Sequence, residues 1–343
     1  MVPADGRPTR RVQIAARLIT ALISLAGAEG VLWFAGYPNW WAMDPAWGGG
    51  SPDYEADADL GWRVRQGDYS LVWADGTDSN HPVKTTNWSG GRRATSEHEP
   101  APGNSNQGRV LFFGDSYIQG YGLPDSQTLP WIFQKRHPEL DVSNFGAGLY
   151  GTYQSYLSMK KSVHEPASVY YLFNAFHEDR NAAAPSFLRI AKTPPPGWFY
   201  PYAEVSHGEL VGERSRGELI WPISRHWRLA AMVQDYDLLA KSYLRLRGKR
   251  EVTEILLARM NETVLAAGGK LRIILMDMTP EERSDYRHFL ESRNIAFIDC
   301  DRPELKDRSL RLSDGQHPTG KLNEMIAQWI EPASSNQVVA GTQ

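Results

Sequence analysis

A short apolar run, Val110 to Phe113, breaks off into Gly114-Asp115-Ser116, and this constrains the chain more than any other stretch. Four consecutive apolar residues bounded by turn formers read as a strand buried on both faces of a parallel sheet. Open α/β sheets bind their ligands at the carboxyl ends of the strands, and Ser116 falls at that end. Gly114 permits a tight turn, and Gly120 and Gly122 keep the following loop slim. If a helix follows, its first N–H groups face whatever Ser116 attacks. Ser116 therefore reads either as a nucleophile or as a serine capping a strand-ending turn.

From residue 108 onward, strand and helix patterns alternate. Strands are expected at 109–113, 141–145, 168–173, 271–277 and 295–299. Helices are expected at 127–137, 151–162, 253–267, 282–293 and 320–331. That alternation implies a parallel sheet with helices on both faces. Residues 181–250 interrupt it with Thr193-Pro-Pro-Pro196, a hairpin around 200–221 and a helix over 226–247. An insertion of this length is expected to lie over a functional site. Trp198, Tyr200 and Tyr202 within it either stack on sugar rings or pack between insertion and domain. A net charge of −3 gives no basic field for nucleic acid. The single Cys300 excludes an internal disulfide framework and a thiolate metal cluster, and no metal set is expected from the scattered histidines.

Ahead of the alternating region lie Arg7, Arg10, Arg11 and Arg17, then a 20-residue run, Leu18 to Tyr37, with Glu29 as its only charge. That length is about enough to cross a bilayer. Arginines on the N-terminal side hold that end inside, and Trp33, Tyr37, Trp40 and Trp41 would lie at the far interface. The leading expectation is a basic cytoplasmic start (1–17) and a signal-anchor (18–37), with the rest facing the periplasm or the exterior. Two alternatives compete. Ala26-Gly27-Ala28 resembles a cleavage site, and Glu29 suits a buried amphipathic helix better than lipid. Residues 38–107 read as a linker followed by an irregular, β-containing prelude. The 332–343 tail reads as frayed.

Three further stretches carry chemistry. In Leu312-Ser-Asp-Gly-Gln-His317, Asp314 and His317 lie three apart in a turn before the last helix. A serine needs a base, and the base needs an orienting carboxylate; a capping Asp beside a surface His is the alternative. Gly146-Ala-Gly148-Leu-Tyr-Gly151 fits a dinucleotide fingerprint, but it follows the second strand, and Asn174 stands where an acidic residue is expected. The same glycines would also let a backbone N–H approach a developing oxyanion. In Phe173-Asn174-Ala-Phe-His177-Glu-Asp-Arg180, Asn174 or His177 would donate to that oxyanion, or serve as a turn cap and an acid's partner.

These stretches together resemble the blocks of the GDSL/SGNH hydrolase superfamily over residues 108–331. Gly114-Asp115-Ser116 resembles its first block, with Ser116 as nucleophile. Asn144–Gly151 resembles the second, where a glycine N–H completes the oxyanion hole; Gly148 is preferred to Gly146. Asp314-Gly-Gln-His317 resembles the last, with His317 as base and Asp314 its partner. The third block, Gly-x-Asn-Asp in the family, is replaced here by Phe173-Asn-Ala-Phe-His-Glu; Asn174 is the expected donor and His177 its substitute. The order of basic start, anchor, Asp-Leu-Gly-Trp62 prelude and hydrolase domain also resembles membrane-tethered bacterial members. The resemblance implies a three-layer α/β/α sandwich around a five-stranded, mostly parallel, flavodoxin-like sheet. It implies a cofactor-free serine esterase or acyltransferase, acting on a small ester or on acyl groups of a surface glycan. The competing readings are a non-catalytic glycan-binding or assembly protein on the same fold, and a nucleotide-binding protein using Gly146–Gly151.

Overall fold

The computed structural model describes residues 9–38, 52–71, 82–100, 108–191, 199–207, 209–216 and 221–330. Trp40, Trp41, Trp198, the Thr193–Pro196 stretch and the 332–343 tail lie outside them. The chain divides into two compact units, Met1–Pro45 with Glu218–Lys241, and Ala46–Gly217 with Ser242–Gln343.

The first unit contains α1, Arg10–Phe34, a 25-residue helix long and apolar enough to cross a membrane. None of its residues is buried among the described residues.

The second unit begins with an antiparallel pair, β1 (Tyr54–Asp57) and β2 (Gly61–Val64). β3 (Gly67–Leu71), β4 (Val83–Trp88) and β5 (Arg92–Arg93) follow. β6 (Arg109–Phe113) leads into α2 (Ser116–Gln119), α3 (Leu129–Arg136) and β7 (Asp141–Asn144). Next come α4 (Thr152–Ser162), β8 (Ser168–Phe173), α5 (His177–Asn181), α6 (Pro185–Ala191) and the hairpin of β9 (Phe199–Ser206) with β10 (Glu209–Arg216). α7 (Arg228–Ala266), whose residues up to Lys241 belong to the first unit, β11 (Lys270–Leu275), α8 (Pro280–Ser292), β12 (Phe297–Asp299) and α9 (Gly320–Trp329) complete the described chain.

Five strands pair in parallel in the order β7-β6-β8-β11-β12. Numbered by sequence this is 2-1-3-4-5, the flavodoxin-like arrangement, whose reversal point lies at β6 and β8. Residues 67–93 add to it. β5, β4 and β3 continue the sheet beyond β7 as antiparallel strands, making eight in all.

Alternate residues of the parallel strands face two separate cores, as a period of two requires. Val110, Phe112, Val142, Tyr170 and Leu172 pack with α3 and α9 through Phe133, Leu322 and Ile326. Leu111, Phe113, Val169, Tyr171 and Ile273 pack with α4, α7 and α8 through Met159, Leu257, Met260 and Leu290. Helix layers on both faces explain why these strands lack polar alternation.

The helices expected at 226–247 and 253–267 are one 39-residue helix. Gly248 in its middle costs about 1 kcal/mol against alanine, which is too little to break a helix whose Leu256, Leu257, Met260 and Val264 are fully buried. Tyr200 is buried, edge-on to Trp62 and Phe187 at 5.7 and 5.8 Å, and the Arg245 guanidinium lies 4.9 Å over the ring of Tyr202. Packing, and not sugar stacking, accounts for both aromatics.

Candidate active site

Chain geometry at the end of β6 forces a turn. A Cβ on Gly114 would come within 2.7 Å of Ile118 Cγ1, so only glycine allows α2 to fold back so closely. Asp115 caps α2 by accepting the Tyr117 N–H at 3.0 Å. α2 lasts one turn and ends at Gly120, φ 84°. Ser116 is its first residue, and its N–H, like the others of a first turn, has no helical acceptor.

The partner arrives from the other end of the sequence. His317 Nε2 lies 2.9 Å from Ser116 Oγ, 201 residues away. Its Nδ1 is hydrogen-bonded to Asp314 Oδ2. Asp314 Oδ1 accepts the N–H groups of Gln316 and His317 at 2.8 and 3.0 Å, so the three-residue spacing closes as a turn stapled by its own carboxylate. Burial works against ionisation of Asp314, but the hydrogen bonds from His317 and the turn amides outweigh it and hold the carboxyl at about 2. The carboxylate is thus ionised across the working range and fixes the ring orientation. Arg311 steadies the turn by donating to Gln316 O at 2.6 Å and to Asp277 Oδ2 at 3.0 Å.

Asp115, beside the serine, is fully buried. Its Oδ2 accepts from Arg180 Nη1 at 2.9 Å and lies 3.2 Å from His177 Nε2. Burial raises its pKa, but His177, Arg180 and the Tyr117 N–H together hold it well below the usual carboxylate range. His177 Nδ1 meets Tyr171 OH at 2.9 Å. Burial is the main reason its imidazole sits below its ordinary value, with Asp115 opposing.

These contacts bear on the four expected oxyanion donors. His177 Nδ1 is hydrogen-bonded to Tyr171 OH, and its Nε2 lies 3.2 Å from Asp115 Oδ2 as an ion-pair neighbour without hydrogen-bond geometry, which places the ring as a support of Asp115. Gly146 N–H donates to Asn144 Oδ1 at 2.9 Å. Gly148 N–H donates to Tyr54 OH at 2.9 Å, and Trp62 Nε1 donates to Gly148 O at 3.1 Å. Both sides of the glycine are therefore held by residues of β1 and β2. Asn174 differs. It is fully buried, and neither amide atom has a hydrogen-bond partner among the described residues. Phe113 pairs with Tyr171, so β8 runs two residues beyond β6 and brings Asn174 level with the turn carrying Ser116. An unpaired buried amide costs roughly 1–3 kcal/mol and calls for a reason. The next amide after Gly148, that of Leu149, sits in a turn at φ 65°.

The glycines of 146–151 serve packing. A Cβ would meet Gln119 N at 2.3 Å from Gly146, Tyr54 Oη at 2.8 Å from Gly148, and Asn181 Oδ1 at 2.7 Å from Gly151. The backbone approach that a dinucleotide pyrophosphate needs is already filled by protein.

Sequence reasoning missed Tyr54, Trp62, Arg180, Arg311 and Arg93. Arg93 is fully buried and donates to Gln119 O (2.8 Å), Gly120 O (2.6 Å), Leu123 O (2.6 Å) and Asp125 Oδ1 (3.0 Å), fixing the loop after α2. A lone arginine in a short strand carries no signal of this. The charged residues around Gly114-Asp-Ser116 in Asp179-Arg180 were visible but without a partner to assign. The walls of the site are Tyr117 and Tyr121, whose rings lie 5.2 and 4.3 Å from that of His317, and Phe176, which is 38% exposed.

The sequence matches no family model and no curated protein. Among solved structures the chain is similar to a lipolytic protein of the G-D-S-L family from Desulfitobacterium hafniense, at 12% identity and a TM-score of 0.38, over 64% of this chain and 96% of that one. It is similar to a G-D-S-L family member from Veillonella parvula, at 12% identity and 0.36, over 64% and 94%. It is also similar to the acetylxylan esterase Axe2 of Geobacillus stearothermophilus, at 14% and 0.34, over 64% and 91%.

Proposed function

We propose that this protein is a serine esterase of the GDSL/SGNH kind. The observation that carries the reading is the continuous hydrogen-bonded line Asp314–His317–Ser116, assembled from opposite ends of the sequence. As Ser116 Oγ attacks an ester carbonyl, His317 Nε2 takes its proton, and Asp314 stabilises the imidazolium that forms. The carbonyl oxygen becomes an oxyanion facing the Asn174 amide and the first-turn N–H of Ser116, with the Leu149 N–H as third donor. His317 then protonates the departing alkoxide, leaving an acyl-serine. Water, or a second hydroxyl in an acyl transfer, gives its proton to His317 and attacks the acyl carbon, and His317 returns the proton to Ser116 Oγ as the acyl–serine bond breaks.

Ser116 and His317 are 4% and 8% exposed. The acyl part of the proposed substrate is short, such as acetyl. α1 anchors the protein, its arginine-rich start inside and the second unit outside, where acetylated glycans are accessible substrates. The test is the full chain treated with a fluorophosphonate probe and with aryl acetate and octanoate. Labelling and acetate release that disappear in Ser116→Ala, with acetate preferred, are the expected result. Activity retained by a folded Ser116→Ala protein would refute the mechanism.

A further inference from the structure

Within the first unit, α1 is not alone. Glu29 Oε1 and Oε2 accept the N–H groups of Arg228 and Leu229 at 2.9 Å each, the first amides of α7. Tyr37 OH is hydrogen-bonded to Asp235 one to two turns further along α7. The acid that argues against a membrane span therefore has two strong donors at a helix N-terminus, where a negative charge is also favoured by the dipole.

Those two contacts fix a depth. α1 is 25 residues long, about 37 Å at 1.5 Å per residue, against a hydrocarbon core of about 30 Å. Glu29 lies five residues before the helix end at Phe34, or roughly 7 Å. The described helix runs Arg10–Phe34, so its centre is Leu22 and not the middle of 18–37. If α1 spans with Leu22 at the bilayer centre, Glu29 sits roughly 10 Å toward the outer side, within about 5 Å of the hydrocarbon edge, and the start of α7 is held at that level. The residues there are unusually apolar for a water-facing surface. Ile223 is 52% exposed, Trp227 46%, Val233 46% and Tyr236 68%. Val233 and Tyr236 stand one turn apart on the helix. Ile223 and Trp227 flank it on the preceding turn, which is folded back by Trp221 N–H donating to Gln234 Oε1 at 2.9 Å.

We infer that residues 223–239 form a second membrane contact, an interfacial segment lying in the outer headgroup region beside α1. The occupant of this surface is lipid, because Glu29 and Tyr37 tie the segment to an apolar helix none of whose residues is buried and most of whose length is exposed. Aromatic and aliphatic side chains at the headgroup level are what such a position selects. The inference rests on the reading of α1 as a membrane span.

The test uses the full chain in phosphatidylcholine vesicles with a fluorophore on Tyr236→Cys, and in separate samples on Leu22→Cys at the middle of α1 and on Glu281→Cys in the second unit. The native Cys300 is buried, and its thiol is pushed up to about 12 by burial, so it does not compete for label. Lipid carrying a nitroxide near the headgroup is expected to quench the label at 236 at least two-fold while leaving the label at 281 unchanged. Nitroxide deep in the acyl chain is expected to quench the label at 22. Quenching at 22 but not at 236 would overturn the inference and leave the anchor standing. Quenching at neither would overturn both. A label at 236 that is shielded from water but not quenched by lipid would mean that protein, such as a second copy, covers this face, and would also overturn it.

Discussion

Replacing Gly146 with alanine would set a Cβ 2.3 Å from Gln119 N and 2.7 Å from Ile118 C, both backbone atoms of α2. Ordinary contact begins at 3.4 Å, so something must yield by about 1.1 Å. Neither side has slack. Gly146 is tied through Asn144, whose Oδ1 takes its N–H and whose Nδ2 donates to Ile118 O at 2.9 Å. α2 is held from behind by Arg93 on Gln119 O and Gly120 O. The displacement therefore falls on the helix that begins with Ser116. A shift of about 1 Å at a reacting group costs on the order of 10²-fold in rate, and overpacking costs about 1–3 kcal/mol of stability. Gly148→Ala is the comparison, since its Cβ meets a side-chain atom, Tyr54 Oη at 2.8 Å, and no backbone atom of α2. The assay is the rate of fluorophosphonate labelling, with circular dichroism and thermal unfolding to verify folding. Gly146→Ala is expected to label about 100-fold more slowly while folding with a lowered Tm, and Gly148→Ala to stay within several-fold of wild type. A folded Gly146→Ala protein that labels at the wild-type rate, or a larger loss in Gly148→Ala, would refute the placement of that turn against α2.

Asn174→Ala is expected to lower kcat on an aryl acetate by about 10²–10³ while leaving Tm unchanged or raised, because it removes an unpaired buried amide; loss of stability with intact kcat would mean a structural asparagine. Asp314→Asn is expected to lower kcat by roughly 10⁴, through loss of the ring's orientation and charge partner, measured by burst kinetics. The Asp314 carboxyl sits at about 2 against 3.8 ordinarily, so its contribution to stability is complete above about pH 4 and is lost as pH falls through about 2; in Asp314→Asn that acid limb of the unfolding curve should be absent. Asp115→Asn leaves Arg180 and His177 facing a neutral amide and is expected to destabilise by about 3–5 kcal/mol in urea unfolding. Because the Asp115 and His177 pKa values are both depressed in the fold, the contribution of His177 to stability should decline as pH falls below about 6 and that of Asp115 below about 4, and neither as pH rises.

What was legible in the sequence was local or periodic. Val110–Phe113 and Gly114 announce a buried strand and a turn within seven residues, and Asp314 and His317 meet in a turn only four residues long. The parallel core was readable from alternation, since each strand and helix carries its own signal. What escaped reading depends on distant partners. Gly148 looked like a free donor until Tyr54, 94 residues earlier, supplied its acceptor. His177 looked like a donor until Tyr171 bonded one of its nitrogens and Asp115 stood beside the other. Asn174 was placed correctly at a strand end, but its lack of any partner is a property of the packed site. Residues 226–247 and 253–267 read as separate helices because the burial of Leu256, Leu257 and Met260 that accompanies their continuity in α7 is not visible in sequence.

The residues ahead of β6 belong to the chemistry as much as to the scaffold. Arg93 closes the loop behind Ser116 with its guanidinium donors, and Asp125, which it pairs, also accepts the Thr86 N–H at 3.0 Å. Tyr54 and Trp62 hold the two faces of the Gly148 peptide, and the Tyr150 hydroxyl and Gln154 Nε2 return hydrogen bonds to Trp62 O and Leu60 O. The turns at Ser116 and Gly148 are thus both fixed by residues ahead of β6, the first by Arg93 of β5 in the extended sheet and the second by the separate β1–β2 pair. A catalytic turn built from glycine has little rigidity of its own; preorganised donors need a support that does not move when charge develops. Here that support is supplied by a segment that, read alone, shows only short strands among Gly, Asn and Pro.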